Sequence, residues 1–479
     1  MRRYAALSLS AIVFMGLAAL LPVAAAAQDS PAPGLPGAVP ADGTADTAAT
    51  APDTLSPLAP TADTTVSNSL TPDNPRLARA LASPADGTSV VAITPLRRTT
   101  FEDDPFAPTG IAAGAYLVYP AVTLGAGYTS NGVAAAGGKG AAFLEISPEL
   151  LIKSTGADNP ATLSLRGSFQ RFLDGSTPDE PTADIEATQR IDLRDRWWLD
   201  LDGRYDYSRQ SISDPNFPAG VTNPPGVHDL SATATLNGTF GRGVVALEGL
   251  AQRTIYENAV SGGTIIDQSD RNNDLFGTRL RLGYELTPLL TPFIEGWLTR
   301  RIYDQTLDDN GIARSSTGTA IRAGLAYDSD PVLKGELALG AREEDFDDAT
   351  LATIHAFTVD GSVVWSPTRL LTVTGDVTTA INPATLPGSS GSVAYAGAVD
   401  VAYAYRSDIA FDWTAGLLDE SFQGIDETDM TYSLGAAVTW KLNRSLRLVT
   451  GYVHQWLTSN APGRAYTSDA VRVDLRLQR

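Results

Sequence analysis

The sequence predicts an all-β protein, a transmembrane antiparallel up-and-down β-barrel of about 18 strands behind a disordered N-terminal tail. Apolar and polar residues alternate along most of the chain after residue 109, and short and long connections alternate between these segments. In the last segment, aliphatic side chains at Val471, Val473, Leu475 and Leu477 alternate with Arg472, Asp474, Arg476 and Gln478. A period of two places these groups on opposite faces of a strand, which suits a wall between lipid and water.

Clusters of Gly, Pro, Asn and Asp separate the alternating segments and set their number. We place eighteen strands at 114–130, 141–154, 160–173, 182–194, 196–209, 228–241, 244–257, 273–287, 291–304, 315–328, 332–346, 352–366, 370–382, 392–406, 408–422, 428–442, 445–459 and 465–479. If the barrel closes, the last strand must pair with the first, near Val118 to Tyr128.

Connection length predicts the orientation of the barrel. The connections at 241–243 and 443–445 are tight, whereas those at 210–227 and 258–272 are long. Outer-membrane barrels have short periplasmic turns and long outer loops, so the N-terminal tail and the C-terminus are predicted to be periplasmic. Two aromatic girdles are predicted, with Trp197, Tyr284, Trp365, Tyr405 and Trp440 near the short turns and Tyr128, Tyr207, Tyr256, Tyr303 and Trp456 near the long loops.

The N-terminal region predicts export. Two arginines precede an apolar run that ends at Ala25-Ala26-Ala27, so residues 1–27 are predicted to be a signal peptide. Residues 28–108 are rich in Pro, Ala and Thr and are predicted to form a disordered periplasmic tail, because they have too little apolar surface to offset the entropy of ordering. The barrel is predicted over residues 109–479, in the outer membrane of a Gram-negative bacterium.

Composition argues against several functions. The chain has no cysteine and a net charge of −20, so a disulfide framework is excluded and nucleic acid is not an expected partner. Asp270 to Asp274 has the acidic spacing of a calcium loop, but Leu275 replaces its glycine. His454 and Ser468, on neighbouring predicted strands, are a weak candidate pair for nucleophilic catalysis. We therefore predict no enzymatic activity, no metal site and no cofactor.

The polar faces of the strands supply candidate lumen-lining residues. Because ionised groups of both signs are costly to bury without water, their number predicts a water-filled interior. The candidates are Asp184, Glu186, Arg190, Asp192, Asp200, Asp202, Arg204, Asp206, Arg279, Arg281, Glu285, Lys334, Glu336, Arg342 and Glu344.

Several short motifs resemble a known family. Asp104 to Ile111, Gly127 to Asn131, Ser147 to Leu150 and Leu475 to Arg479 resemble the putative beta-barrel porin family, type 2, of proteobacterial outer membranes, over about residues 98 to 479. The resemblance implies an outer-membrane barrel, a porin or solute channel, with no catalytic residues.

The predicted function is a porin-like channel for passive diffusion of small hydrophilic solutes. One alternative is an exporter of a surface polysaccharide, in which Arg190, Arg204, Arg279, Arg281 and Arg342 form a track for the polymer. A second alternative is a non-conducting structural or adhesive barrel. Expected partners are outer-membrane lipids and lipopolysaccharide, the barrel-assembly machinery, and small solutes or polysaccharide.

Overall fold

The computed structural model describes residues 104–479 except 157–158, 195, 218–220, 222–223, 262 and 330. The predicted signal peptide and residues 28–103 of the predicted tail lie outside the described residues. The described chain is almost entirely β-strand, with one 3₁₀ helix at Ser269–Arg271. Among these residues, no helix has the length and apolar character needed to span a membrane.

The strands follow one another along the chain as an antiparallel meander. They are β1 (Ile111–Ala113), β2 (Tyr116–Thr129), β3 (Ala141–Ser154), β4 (Ala161–Phe172), β5 (Glu180–Arg194), β6 (Trp197–Arg209), β7 (Gly226–Phe240), β8 (Gly243–Tyr256), β9 (Ala259–Ser261), β10 (Thr264–Ile266), β11 (Asn273–Tyr284), β12 (Leu290–Tyr303), β13 (Ser316–Ser329), β14 (Leu333–Phe346), β15 (Ile354–Thr368), β16 (Leu371–Pro383), β17 (Gly391–Tyr403), β18 (Ile409–Gln423), β19 (Thr428–Asn443), β20 (Leu446–Ser459) and β21 (Tyr466–Gln478).

Eighteen of these strands close a barrel, as predicted. Strands β2–β8 and β11–β21 pair in sequence, and β21 returns to pair with β2 from Ala121 opposite Gln478 to Thr129 opposite Ala470. The predicted closure is therefore confirmed. The sequence did not predict β1, which adds to the start of β2, or the small β9–β10 hairpin in the loop after β8.

The closing seam depends on a residue without a side chain. A methyl group on Gly125 of β2 would come within 2.5 Å of Asp474 Oδ1 on β21. Because glycine leaves this space to the Asp474 carboxylate, Arg472 bonds Asp474 Oδ1 at 2.9 Å while it reaches across β2 to Glu145 at 3.3 Å. Nearby, Arg476 of β21 bonds both carboxylate oxygens of Glu149 of β3, at 2.5 and 2.7 Å. The first and last strands are thus held together by side chains as well as by the backbone.

The two faces of the wall differ in exposure and polarity. On β12, Ile294 is 57% exposed, whereas the next residue, Glu295, is only 5% exposed. Side chains diverge on the convex outside of a barrel and converge on its concave inside, so the exposed apolar face is the outer one. The five aromatic residues predicted near the short turns are all exposed: Trp197, Tyr284, Trp365, Tyr405 and Trp440.

Two aromatic residues predicted for the other girdle do not belong to it. Tyr303 is 7% exposed, and the guanidinium carbon of Arg271 lies 3.9 Å from the ring centre of Tyr256. Both tyrosines alternate with outward-facing neighbours, so they point into the barrel. The prediction was wrong for these two because position near a loop does not decide which face a strand residue occupies.

Candidate functional site: the inner face and the long-loop mouth

All of the predicted lumen residues except Glu285 lie on barrel strands. Glu285 follows β11 in a short turn. The other fourteen share the face that carries the buried polar side chains, opposite the exposed aliphatic ones. Lining of an open aqueous lumen by these residues stays a prediction, and their contacts divide them into two sectors.

The first sector, on β5 and β6, is acidic and half-exposed. Arg204 pairs with Asp206 at 2.6 Å and with Asp184 at 3.2 Å, and Arg190 pairs with Asp192 at 2.9 Å. The side chains of Arg204 and Asp192 keep 44% and 53% of their exposure. Further carboxylates on the same two strands are Glu186, Asp200 and Asp202. Acids outnumber bases here, so water in contact with this sector is in a negative field.

The second sector, from β8 to β15, is tightly packed. Trp297 of β12 lies between two arginines, with the guanidinium carbons of Arg279 and Arg322 at 5.3 and 4.7 Å from its ring centre. Arg279 also pairs with Glu248 at 2.5 Å, and Arg322 pairs with Glu295 at 2.8 Å. Each arginine thus has both a carboxylate partner and an aromatic ring, and these contacts connect the strands of this sector.

The remaining predicted basic residues are also paired, two of them across strands and Arg342 within β14. Arg281 bonds Glu336 at 2.7 Å. Arg342 bonds Glu344 at 3.0 Å. Lys334 bonds Asp328 at 2.9 Å. The five arginines proposed as a polymer track therefore each already have a carboxylate partner.

Sequence reasoning missed a loop that crosses the long-loop mouth. Residues 210–217, which we call the mouth loop, follow β6. The Asn216 Oδ1 accepts a hydrogen bond from the Thr385 amide at 3.0 Å, and Arg464 Nη2 donates to the Ser213 carbonyl at 2.9 Å. Thr385 follows β16, on nearly the opposite side of the barrel from β6. The mouth loop therefore spans and narrows this opening.

A buried ion pair holds the loop opposite the mouth loop. Arg314 is 2% exposed and donates from Nε to Asp308 Oδ2 at 2.8 Å. Its Nη1 also donates to the carbonyls of Ala384 and Ser389, both at 2.6 Å. Burial opposes ionisation of Asp308, but hydrogen bonds from the Ile312 amide and from Arg314 outweigh it and lower the pKa of Asp308. We call this set of contacts the Arg314 clasp.

The sequence contains no signal that would have identified these two features. The sequence around Asp308 is typical of an exposed acidic turn, and Arg314 has no charged residue next to it in the chain. The Arg314 clasp joins loops that are four barrel strands apart in the sequence, and the mouth loop contacts loops that are eight and twelve strands further along the chain, so only the closed fold brings them together.

The two weak chemical motifs do not form sites in the described chain. In the calcium-like segment, Asp274 pairs with Arg253 at 3.3 Å, and no group of three metal-binding side chains occurs among the described residues. His454 Nδ1 contacts Asp469 Oδ1 at 2.7 Å, whereas Ser468 Oγ contacts Thr129 Oγ1 at 3.1 Å. His454 and Ser468 face opposite sides of the wall and do not meet.

The sequence profile of the family described as Putative beta-barrel porin 2 matches residues 104–479. The chain belongs to this family. Membership in this porin family supports a β-barrel in the bacterial outer membrane, and such barrels are typically not enzymes. No curated protein sequence matches the chain.

Solved structures with some likeness to this porin-family chain include three receptors or transporters. The ferric enterobactin receptor PfeA of Pseudomonas aeruginosa (G324V mutant) is 9% identical, with 77% of this chain and 81% of that chain covered and a TM-score of 0.37. The siderophore receptor PirA of Acinetobacter baumannii is 10% identical, with 76% and 80% covered and a TM-score of 0.37. The FrpB iron transporter of Neisseria meningitidis is 9% identical, with 79% and 82% covered and a TM-score of 0.38.

Proposed function

We propose that the protein is an outer-membrane channel through which small hydrophilic solutes diffuse passively. The observation that carries the proposal is the ionised inner face of a closed eighteen-strand barrel with an apolar outer face. Barrels of this size leave an aqueous interior, and the half-exposed carboxylates of β5 and β6 suit contact with water.

We propose that the short turns face the periplasm and the long loops face outside, as in bacterial barrels generally. The N-terminal tail and the C-terminus are then periplasmic, and the mouth loop lies at the outer entrance. In this orientation the mouth loop and the Arg314 clasp form the narrowest part of the path, and they select solutes by size and charge.

The paired arginines disfavour the polysaccharide exporter. A polymer carboxylate would have to replace a partner already within hydrogen-bonding distance, as Glu248 is for Arg279 and Glu336 is for Arg281. Breaking such a pair leaves a carboxylate uncompensated, which is costly. Single-channel current in planar bilayers distinguishes a channel from a non-conducting adhesive barrel.

Cysteine accessibility tests the channel directly, because the chain has no cysteine of its own. Asp202→Cys places a thiol on the proposed lumen face of β6, and Leu201→Cys places a matched control on the lipid face. In planar bilayers we expect ohmic single-channel steps for both variants. A cationic thiosulfonate reagent should change the current through Asp202→Cys and leave that through Leu201→Cys unchanged. Absence of current steps, or equal effects on the two variants, would contradict the proposal.

A further inference from the structure

The barrel wall has an interruption between β15 and β16. Their register runs from Thr368 opposite Leu371 only as far as Gly361 opposite Val377. On the other side of β15, the register with β14 continues up to Ile354 opposite Glu344. Among the described residues, the halves of β15 and β16 nearest the long loops therefore do not share a backbone ladder.

Side-chain hydrogen bonds join β15 and β16 at the end of this interruption that is nearest the short turns. Thr379 Oγ1 accepts a hydrogen bond from the Val359 amide at 2.8 Å and donates one to the Val359 carbonyl at 3.0 Å. The Thr379 amide in turn donates to Asp360 Oδ1 at 3.2 Å. A threonine side chain thus occupies a place that a neighbouring peptide group fills elsewhere in the wall.

From Thr379 toward the long loops, β15 and β16 overlap face to face instead of lying edge to edge. Ile354 and Ala356 of β15 form a buried apolar cluster with Ile381 of β16 and Val393 of β17. Phe357, next to Ala356 on β15, is 59% exposed and faces outward, and His355 between Ile354 and Ala356 is also exposed, so Ile354 and Ala356 face inward. The ends of β16 and β17 consequently lie on the inner side of β15. We call the four clustered residues the lap joint.

The lap joint lies at the level where the outer surface changes from apolar to charged. Phe357 is opposite Ala341, and two residues further along, His355 is opposite Glu343 with its Nδ1 at 3.5 Å from the carboxylate. This change of polarity is where the hydrocarbon of a bilayer meets its headgroups. The joint therefore lies between the barrel interior and the membrane interface at the long-loop end.

A polar cluster adjoins the joint on its inner side. Asn382 Nδ2, on the strand edge that faces the interruption, donates to Glu420 Oε1 at 3.0 Å, and Ser392 Oγ donates to the same carboxylate. A solute with an apolar tail and a hydrogen-bonding or cationic head matches this pairing of surfaces. Its tail would replace apolar contacts of the lap joint, and its head would contact Glu420.

We propose that the lap joint is a lateral passage for amphiphilic solutes between the barrel interior and the membrane leaflet at the long-loop end. This inference rests on the proposed channel but describes a second route out of it. Most of the wall opens only if peptide hydrogen bonds break in a place without water, at several kcal/mol each. On the long-loop side of Thr379, opening the lap joint separates the apolar cluster and breaks the hydrogen bond of 2.9 Å from the Tyr395 hydroxyl to the Phe357 carbonyl, in place of a ladder of peptide hydrogen bonds.

A reversible disulfide tests the passage. Ala356→Cys with Val393→Cys ties β15 to β17 across the joint, and Ala323→Cys with Leu339→Cys ties the regular β13–β14 ladder as a control. The probe is a dansyl-labelled alkylammonium amphiphile, and its protein-dependent transfer is followed in liposomes beside ion conductance. Oxidation of the joint pair should reduce probe transfer to that of protein-free liposomes without lowering conductance, and reduction should restore it. Unchanged transfer after oxidation would overturn the passage.

A second variant keeps the test independent of disulfide formation. Thr379→Val removes the side-chain seal at Val359, whereas Thr374→Val alters β16 within its regular ladder with β15. Folded Thr379→Val protein should transfer the amphiphile faster than the Thr374→Val protein. Equal transfer rates would contradict the passage. Absence of ion conductance in the protein without substitutions would instead contradict the channel proposal.

Discussion

The ion pair between Glu149 and Arg476 across the closing seam gives the sharpest stability prediction. The two side chains are 25% and 13% exposed and share two hydrogen bonds of 2.5 and 2.7 Å. Hydrogen bonds to charged groups contribute about 1.5 to 3 kcal/mol, and glutamine keeps part of this one. Allowing for the remaining solvent, Glu149→Gln should lower the free energy of unfolding by about 2 kcal/mol.

The assay is reversible urea unfolding in lipid vesicles, followed by tryptophan fluorescence. Asp206→Asn is the matched control, because Asp206 pairs with Arg204 at 2.6 Å on the same face but both side chains are about 40% exposed. The control should change stability by less than about 0.5 kcal/mol. A double-mutant cycle with Arg476→Gln isolates the pair. Equal losses for Glu149→Gln and the control, or no coupling in the cycle, would refute the reasoning.

Three further predictions concern the long-loop mouth. Asn216→Ala removes the bond to the Thr385 amide and should raise single-channel conductance, and an unchanged conductance would mean that the mouth loop does not limit the path. Arg314→Met leaves Asp308 buried without its cation and should destabilise the long-loop mouth by about 3 kcal/mol, measured by amide hydrogen exchange of residues 384–390, with Arg300→Met at the exposed Asp347 pair as the control. Because the folded-state pKa of Asp308 is lowered, its contribution to stability is present above the unfolded pKa and is lost as the pH falls through the folded one. Protection of the amides of residues 384–390, relative to intrinsic exchange at the same pH, should therefore fall only in that acidic range, and a loss of protection near neutral pH would contradict the assignment.

A fifth prediction follows from charge. Acidic residues outnumber basic ones by 55 to 35 in the chain, and the half-exposed sector on β5 and β6 is acidic. Negative groups at a pore raise the local concentration of cations. The reversal potential in a salt gradient should therefore show cation preference, reduced in a variant that combines Asp202→Asn and Asp206→Asn. A preference for anions would contradict this prediction.

Much of the fold could be predicted because each barrel strand carries its own local signal. The predicted strand at 141–154 has the same limits as β3, and the alternation in Val471 to Gln478 correctly placed the charged side chains on the inner face and the closing pair with β2. One face of each strand contacts lipid and the other faces a polar interior. The sequence must therefore alternate apolar and polar residues along every strand.

The site was harder to predict because its defining contacts are not periodic. No local sequence pattern identifies the partners of Arg314, Asn216 and Thr379. These partners lie on distant loops or on an adjoining strand. The alternation also predicted regular pairing for β15 and β16, since each strand is regular by itself. Only the register between them reveals the lap joint.

The closing pair of β2 and β21 also has a consequence for assembly. The partners Ala121 and Gln478 lie at the two ends of the barrel sequence, so the ring is completed only after the final strand has been made and inserted. Contacts between such distant segments form slowly because closing the long loop costs conformational entropy before the stabilising contacts have formed. Until then, β2 and the most recent strand both present unpaired edges, which other chains can extend into aggregates. We therefore expect insertion to be more efficient when another protein covers both edges until β2 and β21 pair.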